Sequence, residues 1–138
     1  MSRQSLLAAI AVLIGCITAL HFIATSFYLY WLFWWYDIIL HFLGGAFSAL
    51  LLLWLRFFSG YFGTPRTPSA SEAVFFAFFA ALSIGAGWEV FERVLGHTWS
   101  VEGYVLDTSL DMLLDTTGAI GALLFFRNRQ GSSYAYHV

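Results

Sequence analysis

Residues 4–36 read QSLLAAIAVLIGCITALHFIATSFYLYWLFWWY, and no Asp, Glu, Lys or Arg interrupts them. A helix needs only about 20 apolar residues to cross the hydrocarbon core of a bilayer, so the stretch holds a full span with an aromatic remainder. That remainder, with Tyr28, Tyr30, Trp31, Trp34, Trp35 and Tyr36, has the composition of an interfacial belt and turn.

The rest of the chain repeats the pattern. The 138 residues are 60% hydrophobic, 20% aromatic and 10% charged, with a mean hydropathy of +0.77. A soluble domain carries roughly 25% charge. The composition therefore predicts an all-α, polytopic membrane protein: a single integral domain over 1–138, a bundle of four transmembrane helices near 6–28, 35–57, 72–95 and 107–126. Gly60, Gly63, Pro65 and Pro68 mark the loop between the second and third helices, and 96–103 the loop between the third and fourth. A net charge of −2 without any lysine offers no footprint for nucleic acid. Cys16 is the only cysteine, so neither an internal disulfide nor a thiolate metal cage is available. Leu13-Ile14-Gly15-Cys16 resembles a lipobox, but the chain stays apolar well beyond it, and Cys16 is expected in the core.

The arginines orient the bundle. Arg3, Arg56, Arg66, Arg127 and Arg129 fall at the two ends of the chain and in the second loop, with Arg93 alone on the other side. This bias predicts cytoplasmic termini and a multi-pass protein of the bacterial inner membrane. The opposite, periplasmic end gathers seven of the eight acidic residues: Asp37, Glu89, Glu92, Glu102, Asp107, Asp111 and Asp115.

Depth and direction turn these acids into a candidate site. At about 1.5 Å per residue, Glu89, Asp111 and Asp115 lie inside the span, and His41 lies one turn below Asp37. His21 on the first helix reaches a similar depth. Residues three or four apart share a helix face, so Asp37 with His41, Glu89 with Glu92, and Asp107 with Asp111 and Asp115 form stripes. Facing lipid such stripes are costly, so they should face one another or a water-filled cleft. Small residues beside them, such as Gly44, Gly45, Gly85, Gly118 and Ala119, permit the close approach. Each group also has a plainer reading. Asp37 and Asp107 fit as helix caps, Glu92 as an ion pair with Arg93, His21 as a hydrogen-bonded core histidine, and His97 and Glu102 as loop residues.

Six carboxylates against Arg93 leave a formal −5, which requires protons or a bound cation. The expected site is therefore a divalent-metal centre with Asp37, His41, Glu89 and Asp111 as ligands, and Glu92, Asp107 and Asp115 as further ligands or their supports. Carboxylates suit Mg, Ca or Mn, and the imidazole admits Zn or Fe.

Tyr36-Asp37-x-x-x-His41-x-x-Gly44, Trp88-Glu89-x-x-Glu92 and Gly103-Tyr104-Val105-Leu106-Asp107-Thr108-x-x-Asp111-Met112 together resemble the YjdF-type family of small bacterial inner-membrane proteins. The Asp followed by Gly-Ala-x-Gly on the fourth helix is also similar to the wider VanZ-like group. The resemblance implies a polytopic envelope protein and marks Asp37, His41, Glu89, Glu92, Asp107 and Asp111; it supplies no reaction. The expected function is a metal site acting on a lipid or lipid-linked envelope substrate. A proton or cation relay, which requires a homo-oligomer, and a non-catalytic subunit of a larger membrane complex are the alternatives, with haem between His21 and His41 the weakest.

Overall fold

A backbone in hydrocarbon must satisfy its own N–H and C=O groups, so each apolar run closes as a helix. In the computed structural model, which describes residues 3–95 and 103–134, the elements are α1 (Arg3–Ser26), α2 (Leu29–Leu32), α3 (Tyr36–Phe57), α4 (Ala70–Leu95) and α5 (Tyr104–Tyr134). No strand occurs among the described residues. The four long helices are each long and apolar enough to span a membrane.

The helix ends differ from the expected bounds for local reasons. Tyr28, at φ 58°, takes the left-handed conformation and breaks α1 from the single-turn α2. The start of α4 at Ala70 is set by a capping box: Ser69 N donates to Glu72 Oε2 at 2.9 Å, and Glu72 N donates to Ser69 Oγ at 3.3 Å. Arg66 grips the same Glu72 carboxylate with both guanidinium nitrogens. Gly103, at φ 95°, starts α5 three residues before Asp107, because its carbonyl accepts from the N–H groups of Leu106 and Asp107. At the other end Arg127, Asn128, Arg129 and Gln130 continue the helix past the expected stop at 126.

α3 is the hub of the bundle. It packs against α1, α4 and α5, and α4 also packs against α5, whereas α1 packs closely only on α3 and α2. The apolar core lies toward the arginine-rich end, where Leu50, Leu53, Phe57, Ala77, Leu123 and Phe126 are buried. There Arg3 reaches the Ser59 carbonyl at 3.4 Å and Arg56 the Phe62 carbonyl at 3.1 Å. Cys16, expected in the core, is exposed instead. With only α3 as a close long neighbour, α1 buries little of its surface, just Leu6, Ile10 and Ala24.

Glycine sets the spacing between α3 and α5. A Cβ on Gly45 would fall on the main-chain carbonyl of Asp115, and one on Gly118 would fall on the carbonyl oxygen of Phe42. The two backbones are therefore in contact, as small residues allow in membrane bundles. This contact brings the Asp111 and Asp115 face of α5 against the His41 face of α3.

Candidate metal centre

His41 lies at the centre of the acidic end and is buried. Its Nε2 is 3.5 Å from Asp37 Oδ2, one turn earlier on α3, and 3.6 Å from Asp111 Oδ1 on α5. Its Nδ1 is 3.6 Å from Asp115 Oδ1, one turn after Asp111. The ring thus has two carboxylates on one nitrogen and one on the other. Asp37, His41 and Asp111 each offer a ligand atom, and those atoms all lie within 4.8 Å of one another.

The spacing has a chemical meaning. Charge-assisted N–H···O contacts settle near 2.7–2.9 Å, so 3.5 and 3.6 Å are long for direct hydrogen bonds. Two ligands bound at about 2.1 Å from one metal stand roughly 3.0–3.4 Å apart at octahedral or tetrahedral angles. The two edges at Nε2 are slightly longer than those of a coordination polyhedron, and the edge between the Asp37 and Asp111 oxygens lies within 4.8 Å. Asp115, 3.6 Å from the other nitrogen, lies on the side from which a carboxylate can orient the imidazole. Gly85 makes room for it, since a Cβ there would collide with Asp115 Oδ2.

The two α4 carboxylates sit beside this group rather than in it. Glu89 is buried; its Oε2 accepts from Thr108 Oγ1 on α5 at 2.6 Å, and its Oε1 is buried without a hydrogen-bond partner among the described residues. Glu92 is half-buried and lies one turn after Trp88 on α4. Asp37, Asp107 and Glu89 all lie within electrostatic reach of Asp111. Among the described residues no arginine forms an ion pair with Asp37, Asp111 or Asp115. Arg93 does not pair with Glu92 either; its guanidinium lies 4.1 Å over the Tyr104 ring.

Of the plainer readings, the caps are replaced. Trp35 occupies the N-cap of α3, with Asp37 already inside the first turn, and Asp107 likewise lies inside the first turn of α5. Acids there still favour the helix dipole. His21 is exposed rather than in the core, and its Nδ1 contacts Tyr30 Oη at 2.7 Å. His97 and Glu102 lie outside the described residues. Thr108 and Tyr30 were not singled out in the sequence as site residues. For Thr108 a signal existed, since it shares the Asp107 to Asp111 segment and faces α4 once α5 is in place.

Removing the Thr108 hydroxyl leaves both Glu89 oxygens buried without a donor. Thr108→Val should lower stability by about 1–3 kcal/mol, with Thr108→Ser close to the parent, as read by thermal denaturation in detergent. A valine variant as stable as the parent would mean that the hydroxyl does not support Glu89.

Comparison with known families agrees with the membrane fold. A family model described as Predicted membrane protein (DUF2238) matches residues 2–131. No curated protein and no solved structure matches the chain.

Proposed function

The chain belongs to the DUF2238 family of predicted membrane proteins, and from that premise we propose that it holds one divalent cation inside the bundle, on the Nε2 face of His41. The observation that carries this reading is the convergence of Asp37, His41 and Asp111 ligand atoms within 4.8 Å. Asp37 and Asp111 each supply a carboxylate oxygen and His41 its Nε2, while Asp115 holds the ring from behind through Nδ1. Oε1 of Glu89, buried without a hydrogen-bond partner among the described residues, supports the reading, because a buried carboxylate oxygen with no donor calls for a proton or a cation nearby. One imidazole with two carboxylates suits manganese, iron or zinc better than calcium or magnesium, which prefer all-oxygen shells.

A metal held by three protein ligands keeps open positions, where it polarises a bound oxygen or lowers the pKa of bound water. The chemistry proposed for it is on a lipid or lipid-linked substrate at the membrane surface. By the arginine distribution, that surface is the one away from the cytoplasm.

The reading is tested by thermal stability with and without a chelator. At a free metal concentration 100-fold above Kd, binding stabilises the folded state by about 2.7 kcal/mol, so chelation should lower the melting temperature of the parent and leave Asp111→Asn unmoved. Asp115→Asn should still bind, with an affinity about 10–100-fold lower. Equal chelator sensitivity in the parent and in Asp111→Asn would contradict the assignment.

A further inference from the structure

α1 is fastened at its ends and stands off in its middle. Leu6 and Ile10 are buried near one end and Ala24 near the other, where Tyr36 Oη also donates to the Leu20 carbonyl at 3.1 Å. Between them Ile14 is 42% exposed. Because α1 packs closely only on α3 among the long helices, a crevice is left between α1 and α4, with α3 as its floor. Its volume of about 360 Å³ falls within the range of small-molecule sites, roughly 300–1,000 Å³.

Polarity falls along this crevice. Its mouth is lined by Tyr30, Asp37, His41 and Glu92, and its deeper part by Ile14, Ile17, Phe47 and Ile84; the polar groups there include Asp115, turned to His41, and Ser48, whose hydroxyl donates to the Gly44 carbonyl. From Asp37 to Ser48 on α3 the crevice descends roughly 16 Å, about half the thickness of the hydrocarbon core. A membrane amphiphile has the same profile, with its head at the boundary and its chain toward the midplane. The neighbouring hydrocarbon can enter such a slot from the side.

The head is limited by charge. Among the described residues no arginine pairs with Asp37, Asp111 or Asp115, so an anionic head at the His41 face would meet carboxylates and no cationic side chain. Across the mouth, burial first and then the fields of Asp37 and Glu92 push the Tyr30 phenol well above its ordinary value and keep it protonated. The rim thus offers a neutral hydroxyl and an imidazole, His21, hydrogen-bonded to each other.

We propose that the crevice between α1 and α4 takes the hydrocarbon chain of a membrane amphiphile with a non-anionic head, such as a hydroxyl, presented to the His41 face. The head assignment rests on the metal reading above; the chain assignment does not. The protein in nanodiscs is photolabelled with hexadecanol carrying a mid-chain diazirine, and in parallel with the matching hexadecanoic acid, with metal content measured on the same samples. Hexadecanol is expected to label the crevice walls on α1 and α4. That labelling should fall about tenfold in Ile17→Trp or Ile84→Trp, each of which fills the slot from one wall. The acid is expected to label these residues much less. Labelling that is unchanged in both folded tryptophan variants, or as strong with the acid, would overturn the proposal. Metal-loaded protein without crevice labelling would reject this inference alone, and labelled protein without metal would reject the metal reading alone.

Discussion

Gly118→Ala is expected to be strongly destabilising for a single added methyl group. The new Cβ would fall on the Phe42 carbonyl oxygen and lie 2.9 Å from both the Phe42 carbonyl carbon and the Ala46 nitrogen. All three are main-chain atoms in the middle of α3, so no rotamer change makes room. α5 must move away from α3, opening the contact that the two helices share around Asp115. Overpacking a core costs about 1–3 kcal/mol where side chains can yield; here backbone opposes backbone and the loss should reach or exceed the upper figure. That is a large part of a total stability of about 5–15 kcal/mol. Gly45→Ala, which meets the Asp115 main chain from the other side, should behave alike. Gly15→Ala, with nothing within 4 Å of the new atom, should melt with the parent. Thermal denaturation in detergent reads all three, and a Gly118→Ala variant as stable as Gly15→Ala would mean that α3 and α5 are not in backbone contact.

The second large effect concerns His41. His41→Ala removes the only nitrogen ligand and leaves Asp37, Asp111 and Asp115 facing one another around an empty ring position. Metal affinity should fall by at least about 100-fold, more than for loss of a supporting residue. The apo variant should also lose stability, since uncompensated buried carboxylates repel one another. Its melting temperature should rise as the pH is lowered, because protonating those carboxylates removes the repulsion. In the parent, acidification acts on metal binding in the opposite sense: protons compete with the cation for Nε2 and the carboxylates, so affinity falls. A His41→Ala variant with full metal content at neutral pH would contradict the assignment of Nε2 as a ligand.

Much of this was legible from residue type and spacing. The uncharged run over 4–36 and the low overall charge are enough for four spans, because hydrocarbon tolerates few other structures. Asp37 and His41, four apart, had to share a face, and Asp111 and Asp115 likewise. Helical periodicity says nothing about which stripe meets which. That His41 turns one nitrogen to Asp37 and Asp111 and the other to Asp115 depends on how close α3 and α5 approach, and Gly45 and Gly118 decide that at atoms the sequence does not display. Glu89 reads as a ligand by its depth; that its Oε2 accepts from Thr108 on α5 is a pairing that spacing along α4 does not display. The capping box at Ser69 and Glu72 was present in the sequence as a Ser-x-x-Glu pattern, hidden by its place beside a proline-rich loop. The crevice had no sequence signal, since it arises from where α1 fails to pack.

The central claim, a cation between Asp37, His41 and Asp111, is tested most directly by elemental analysis of the detergent-purified protein beside Asp111→Asn. The account predicts one equivalent of a transition metal per chain in the parent, retained through size exclusion, and almost none in a folded Asp111→Asn variant. No metal in either protein after incubation with manganese, iron and zinc, or the same amount in both, would contradict it.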